Sequence, residues 1–283
     1  MEVPPLDLSP GQRAHVTIVF AVRDDLPWAS AGHVVAWEQA EAGATPGPAR
    51  APGGASTLPP LLDALEPELA LWRAPIDNET FGPRHAARWE ALGLRSTQAL
   101  TRLTTSTVVA VGDDGAPTVT VTHAVDVPAS LDDIPRVGVR LRLGPGVRTV
   151  EWLGEGPHEG YADRRASARM GRWRTPVDGW AVPYVHPQAN GNRTGVRWLR
   201  FLDAAGDPVL TIDGLDDADV TVSRVTDEEL AEAGHLEDLP VRDECFVWID
   251  ARHRGVGSGA VGPDVAPAHR VGPGAYRWSY RLR

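Results

Sequence analysis

The chain has 283 residues, ordinary hydrophobic content (42%) and a formal net charge of -10. That charge argues against a nucleic-acid or anionic-membrane surface, and no apolar run reaches the roughly 18 residues of a membrane helix. Cys245 is the only cysteine, which leaves no internal disulfide and no zinc-type cysteine cluster. Met1 to Gln12 lacks the charged-then-apolar pattern of a signal peptide, so the expected compartment is the cytoplasm. All 28 basic residues are arginine. The 10 tryptophans outnumber the 4 tyrosines and 4 phenylalanines together; indole is a platform for sugar rings, but most of these read as core or interface anchors.

In chain order, His15 to Val22 alternates as a half-buried strand, and after a turn at Arg23 to Pro27 a second strand fits Val34 to Gln39. Two strands do not make a stable domain, so residues 1–45 read as an incomplete, immunoglobulin-like small β-sandwich segment. Residues 46–66, rich in Ala, Gly and Pro, read as a linker. Residues 67–283 form the main domain. Pro83 to Gly93 predicts a short helix with Ala86, Trp89 and Leu92 on one face. Strands are expected at Leu103–Val111, Thr118–Val127, Val137–Leu143, Val147–Leu153, Val196–Leu202, Val209–Asp213, Val220–Val225, Cys245–Ala251 and Tyr276–Leu282. Thr226 to Gly234 predicts a small helix with a Thr226–Glu229 capping box. The class is therefore all-β and antiparallel, a large β-sandwich. The strand–helix alternation of a (β/α)₈ barrel, which takes about 200 to 250 residues, is not visible.

Five segments carry a resemblance. Asp25 to Gln39 (DLPWASAGHVVAWEQ) resembles the end of the fourth domain of glycoside hydrolase family 2 β-galactosidases. Leu71 to Glu79 (LWRAPIDNE) resembles the entry to the fifth, where the family usually has WRAPTDND. Glu151 to Arg164 matches the family's GxGPxExYxDR at Gly154, Gly156, Pro157, Glu159, Tyr161, Asp163 and Arg164. Pro183 to Arg193 is similar to PYxxPQENGNR, with Ala189 where Glu is usual. Gly255 to Val265 and the closing Gly274 to Arg283 resemble the family's C-terminal end. The resemblance implies a supersandwich related to galactose mutarotases, and a cytoplasmic lactose-hydrolysing assembly. The family's catalytic glutamates lie on a barrel that precedes this region, so no catalytic residue is carried over. Any Mg or Na is expected on the barrel partner, with no cofactor or metal in this chain.

For the residues themselves, alternatives stand side by side. Gly154 and Gly156 predict a sharp turn leaving a strand. Glu159, Asp163 and Arg164, with Tyr161 beside them, suit either a sugar-facing polar cluster or a clamp on a long loop. His158 and Glu159 form an acid–base pair only by analogy with mutarotases. His186, Gln188, Asn190, Asn192 and Arg193 either bind sugar or satisfy their own loop. Asp77, Asn78 and Glu79 are contiguous rather than spaced as a calcium loop, which favours turn and helix-entry roles. The resemblance places a mobile loop at the mouth of the active site over Gly82 to Ala87, including Arg84 and His85. It also puts Val261 where well-known members carry a tryptophan that stacks on the second sugar. Substrate-contact candidates are thus Val261, His158, Glu159, Arg164, His186, Asn190 and Arg193. Trp28, Trp37 and Trp72 are candidates for an interface, or for core.

Three functions follow. One is a non-catalytic small subunit or C-terminal part of a β-galactosidase acting on terminal β-galactosides, completing the pocket of a barrel-bearing large chain or of missing N-terminal domains. A second is a free-standing carbohydrate-binding or mutarotase-like protein. The third is a gene remnant.

Overall fold

A computed structural model describes residues 6–45, 65–81, 85–111, 117–257 and 263–283. Most of the linker read between the two segments lies outside these residues. The chain divides into two compact units, residues 1–52 and 53–283.

In the first unit, β1 (Arg13–Ala21) and β2 (Val34–Ala44) pair antiparallel, with Val16 opposite Ala40 and Phe20 opposite Ala36. The turn is held by Asp25, whose Oδ1 accepts from the Ala31 N–H at 2.8 Å, and by Gly32 at φ +86°. The expected half-burial of β1 is found only at Ala14, His15 and Val16. From Thr17 onward both faces are exposed, Phe20 at 56% and Val35 at 55%. Among the described residues of this unit no second layer covers the two-stranded ribbon to bury its alternating residues.

The described residues of the second unit form ten antiparallel strands in one large curled sheet, the expected all-β sandwich class. They are β3 (Glu68–Ala70), β4 (Thr104–Val111), β5 (Pro117–Val127), β6 (Arg136–Leu143), β7 (Thr149–Gly156), β8 (Arg169–Pro176), β9 (Arg193–Leu202), β10 (Pro208–Ser223), β11 (Cys245–His253) and β12 (Gly274–Leu282). One path runs β3-β6-β11-β10-β12-β5-β4, and β9, β7 and β8 continue from β10 on another branch.

The sheet branches because β10 is a single 16-residue strand rather than the two predicted. Its first half pairs with β12 and its second with β11, and its pairing with β9 shifts register between Asp213 and Ala218. Gly214, at φ +68°, lies at this irregularity. The turn-rich sequence Asp213–Asp219 therefore marks a bulge, not a loop. Inward residues of the branches meet in one core that includes Val139, Leu141, Trp152, Leu199, Phe201, Val220, Ile249 and Tyr280.

Among the described residues, three short α-helices decorate the sheet: α1 (Asp77–Thr80), α2 (His85–Ala91) and α3 (Asp227–Glu232). In α2, Trp89 is fully buried and its indole donates to the Asp133 carbonyl at 2.9 Å. In α3, the capping box is present, with the Thr226 side chain accepting from the Glu229 N–H. Trp72 is core, 5% exposed and covered by the Arg95 guanidinium, not an interface residue; Trp28 is 65% exposed. No described helix is long and apolar enough to cross a membrane.

Two strands were not anticipated. β3 has three residues, too short for a period. β8 (RMGRWRTP) is an edge strand paired only with β7, and its arginines blunt an edge that would otherwise invite pairing. Their apolar signal is correspondingly weak.

Candidate functional site

Gly154 and Gly156 do not turn the chain. They lie inside β7, where the missing side chains let indoles cross the sheet. A Cβ on Gly156 would come within 2.9 Å of the Trp173 ring, and one on Gly154 within 3.0 Å of the Val196 backbone. Trp173 donates through Nε1 to the Gly154 carbonyl at 3.1 Å. The chain leaves the sheet only after Gly156, and Pro157–Arg164 folds against the loop before β9. There the Gly160 N–H donates to Asn192 O, and Asn192 Nδ2 returns a bond to Gly160 O, both at 2.8 Å.

This pairing sets Glu159 at the centre of a polar cluster. Its Oε1 accepts from Arg164 at 2.7 Å and from the Tyr184 hydroxyl at 2.7 Å. Its Oε2 accepts from the Gly191 N–H at 2.8 Å and from the Tyr161 hydroxyl at 3.3 Å. Burial first, then the Glu159 charge, pushes the Tyr161 phenol well above its ordinary pKa. Burial first, then the hydrogen bond to Glu159, raises Tyr184. Both phenols therefore remain donors.

Asp163 does not join this network. It reaches the other way, its two oxygens accepting from the Val256 N–H at 3.0 Å and the Gly257 N–H at 2.8 Å. One motif thus makes two clamps, Glu159 onto the Pro183–Arg193 segment and Asp163 onto the segment that begins at Gly255.

A third anchor comes from Leu71–Glu79. Its three adjacent polar residues point three ways. The Asp77 N–H donates to Gln188 Oε1 and Asp77 Oδ2 accepts from Gln188 Nε2, both at 3.2 Å. Asn78 Nδ2 donates to the Val256 carbonyl at 3.1 Å. Glu79 turns inward to a bidentate pair with Arg73 at 2.7 and 2.8 Å, where both residues are almost wholly buried.

The four segments enclose a cleft of about 310 Å³, with Asp77 and Asn78, Glu159 and Arg164, Tyr184 and Gln188, and Val256 and Gly257 around it. Arg164 remains nearly half exposed after its bond to Glu159, and its guanidinium lies 5.0 Å from the Tyr161 ring centre. The cleft offers amide, guanidinium and phenol groups at a partly open surface, a set suited to hydroxyl groups.

Of the predicted contact residues, Glu159 and Arg164 line this cleft. His158 is exposed and makes no hydrogen bond to Glu159, so no acid–base pair is assembled there. His186 is also exposed, with Nδ1 2.9 Å from the Pro187 carbonyl. Asn190 is used within its loop: Oδ1 accepts from the Val182 N–H and Nδ2 donates to Gln188 O, both at 2.9 Å. Arg193 is buried, donates to the Gly191 and Trp180 carbonyls and lies 4.8 Å from the Trp180 ring centre; burial lowers its pKa to about 10. Val261, Gly82 and Arg84 lie outside the described residues. His85, read as part of a rim loop, is 8% exposed and sits in an ion-pair cluster.

Gln188, one of the loop residues that either bind sugar or satisfy their own loop, lines the cleft, as do Tyr184, Asp77 and Asn78, which the sequence does not single out as contacts. Tyr184 and Gln188 stood inside a quoted motif, which was the available signal. Among the described residues one group has metal-ligand spacing, His85, Asp133 and Asp264. The Arg254 guanidinium already bonds both its carboxylates, at 2.8 Å each at the closest atoms. A fixed cation fills the centre where an ion would have to sit, so this donor set does not fit a metal.

The fold and cleft define an all-β sandwich domain whose loops build a polar, sugar-compatible rim. Residues 53–282 match the family model for the β-galactosidase small chain, and the chain belongs to that family. It is similar to β-galactosidases of Aeromonas hydrophila (35% identical over 56% of this chain), Photobacterium profundum (30% over 77%) and Arthrobacter sp. strain B7 (28% over 95%). The matches cover 15%, 24% and 33% of those relatives, so the chain spans a third of their length or less.

Proposed function

We propose that this chain is the non-catalytic part of a β-galactosidase, completing the pocket of a catalytic barrel carried elsewhere, in an assembly that hydrolyses terminal β-galactosides such as lactose in the cytoplasm. The observation that carries the proposal is the meeting of four separated sequence segments around one cleft. Structural loops need no common centre, whereas a pocket rim does.

The cleft's own chemistry favours binding over hydrolysis. A retaining glycosidase needs two carboxyl groups about 5 to 5.5 Å apart, one to exchange a proton and one to attack. Both oxygens of Glu159 already accept two hydrogen bonds each, which leaves little capacity for either role. Its part is to hold Arg164 and Tyr184 in place. Arg164, nearly half exposed, then presents donors to sugar hydroxyls at the open side. Cofactor or metal chemistry, where the assembly uses it, is assigned to the barrel part.

The purified 283-residue chain is expected to show no turnover of a nitrophenyl β-galactoside. Robust, saturable turnover that survives repurification would refute the non-catalytic assignment.

A further inference from the structure

The strands β8, β7, β9, β10 and β12 are neighbours in that order, and their outer face carries side chains in two rungs. Residues directly opposite on paired strands point the same way, which places Arg172, Leu153, Trp198, Asp213 and Arg281 in one rung. Arg174, Glu151, Arg200 and Thr211 form the next, and Arg283, whose backbone exchanges hydrogen bonds with Thr211 at 3.0 Å, closes it. The alternate residues Trp152, Leu199, Ile212 and Leu282 are buried in the core, so both rungs face outward. We propose that this face is a docking surface for an acidic peptide, a short carboxylate-rich segment of a protein partner.

Charge is the first argument. Five guanidiniums stand against two carboxylates, a net of +3 on a chain whose formal charge is -10. Each carboxylate is divided between two arginines. Glu151 lies 3.5 Å from Arg174 and 3.9 Å from Arg200, while Asp213 pairs with Arg281 and, at 3.0 Å, with Arg283. Positive charge is therefore left over, and all five arginines are exposed or partly exposed. Such surface pairs add little to stability. Protection of a sheet edge accounts for β8 alone, because β9 and β12 are each paired on both sides.

The second argument is composition. Trp198 sits at the centre of the face, its ring centre 5.5 Å from the Arg172 guanidinium and 5.7 Å from that of Arg200. Indole and guanidinium are the side chains that most often carry the binding energy of a protein interface. Reach is the third argument, and it selects the kind of anion. Strands lie about 4.8 Å apart, so the face spans about 19 Å from β8 to β12. A short acidic segment stays within that width. A nucleic-acid duplex or a lipid surface extends past it and meets the acidic remainder of the chain, whose repulsion acts over a screening length of about 8 Å. None of the residues in the two rungs lines the rim cleft, so this surface goes beyond the function proposed above.

The test is fluorescence anisotropy of a fluorescein-labelled deca-glutamate peptide titrated with the 283-residue chain. Saturable binding is expected at about 20 mM NaCl, weakened by about tenfold or more at about 300 mM. Arg172→Ser combined with Arg174→Ser should weaken it by about fivefold or more. Arg88→Ser combined with Arg142→Ser makes the same change of charge at exposed ion pairs on α2 and β6. It should alter binding by less than about twofold. Glu151→Gln, which removes a competing carboxylate, should tighten binding by about twofold. Circular dichroism establishes that each variant is folded. The proposal is overturned if no saturable binding appears up to about 1 mM chain, if the two double variants weaken binding equally, or if Glu151→Gln weakens it. It is equally overturned if a ten-nucleotide oligo-dT or phosphatidylglycerol vesicles bind more tightly than the peptide at the same salt, since the partner would then be a nucleic acid or a membrane.

Discussion

Two arginine–glutamate pairs, 80 residues apart along the chain by their glutamates (Glu79 and Glu159), show how one kind of contact serves two ends. Arg73 and Glu79 pair bidentately with side chains 1% and 3% exposed, beneath the cleft. Arg164 and Glu159 pair at its edge, with Arg164 47% exposed. The buried pair has no water to replace a lost partner, so it fixes the segment that carries Asp77 and Asn78. The edge pair contributes little to stability, and its exposed guanidinium is free to meet a ligand. Depth, rather than residue type, separates scaffold from surface chemistry.

Breaking the buried pair should have the largest effect. Glu79→Ala leaves Arg73 and, 3.7 Å away, Arg254 without their shared carboxylate. A loss of about 3–5 kcal/mol is expected in urea unfolding; a loss under about 1 kcal/mol would mean that the pair is not buried as described.

Cutting the second clamp comes next. Asp163→Ala leaves the Val256 and Gly257 N–H groups without their acceptor. It should cost about 1–3 kcal/mol and speed hydrogen exchange at residues 255–257 specifically. Exchange that rises uniformly would deny the local role.

A pH test sharpens the same contrast. Asp250 lies on β11 under Arg136, and burial pushes its pKa up to about 7 from 3.8. Its folded pKa is raised, so the folded state holds a proton that the unfolded state releases. Its contribution to stability is therefore greatest near pH 4 and declines as pH rises towards 7. Asp250→Asn should flatten the stability profile between those values, measured as the difference from wild type. Parallel profiles would contradict the assigned burial.

The smallest effect on stability belongs to the edge. Arg164→Ala should change it by less than about 1 kcal/mol. In an assembled enzyme, the same substitution should raise KM for a galactoside with little change in kcat, as loss of uniform binding does. A fall in kcat alone would place Arg164 in the chemistry instead.

Much of this was legible in the sequence. Alternating Val and Leu in Val137–Leu143 gave a strand buried along one face, and Thr226–Glu229 gave a capped helix. What escaped depends on tertiary context. Gly154 and Gly156 look like turn residues until the Trp173 indole is placed against them. Asp213–Asp219 reads as a loop because a bulge uses the same residues. For the candidate site, Glu159 and Arg164 were found because a motif singled them out. Asp77 and Asn78 were read as local turn residues, since only folding brings them to Gln188 and Val256. Asp163 was grouped with Glu159 by proximity in the chain, but it faces the opposite loop.

The central claim is that this chain supplies a rim and not the catalytic machinery. Its most direct test is complementation: the chain is mixed with a barrel-bearing β-galactosidase part lacking this region, and turnover of a nitrophenyl galactoside is followed against chain concentration. The account predicts that neither part is active alone and that activity rises to saturation as the two are combined. Failure to restore activity while both parts are folded and bound would contradict it.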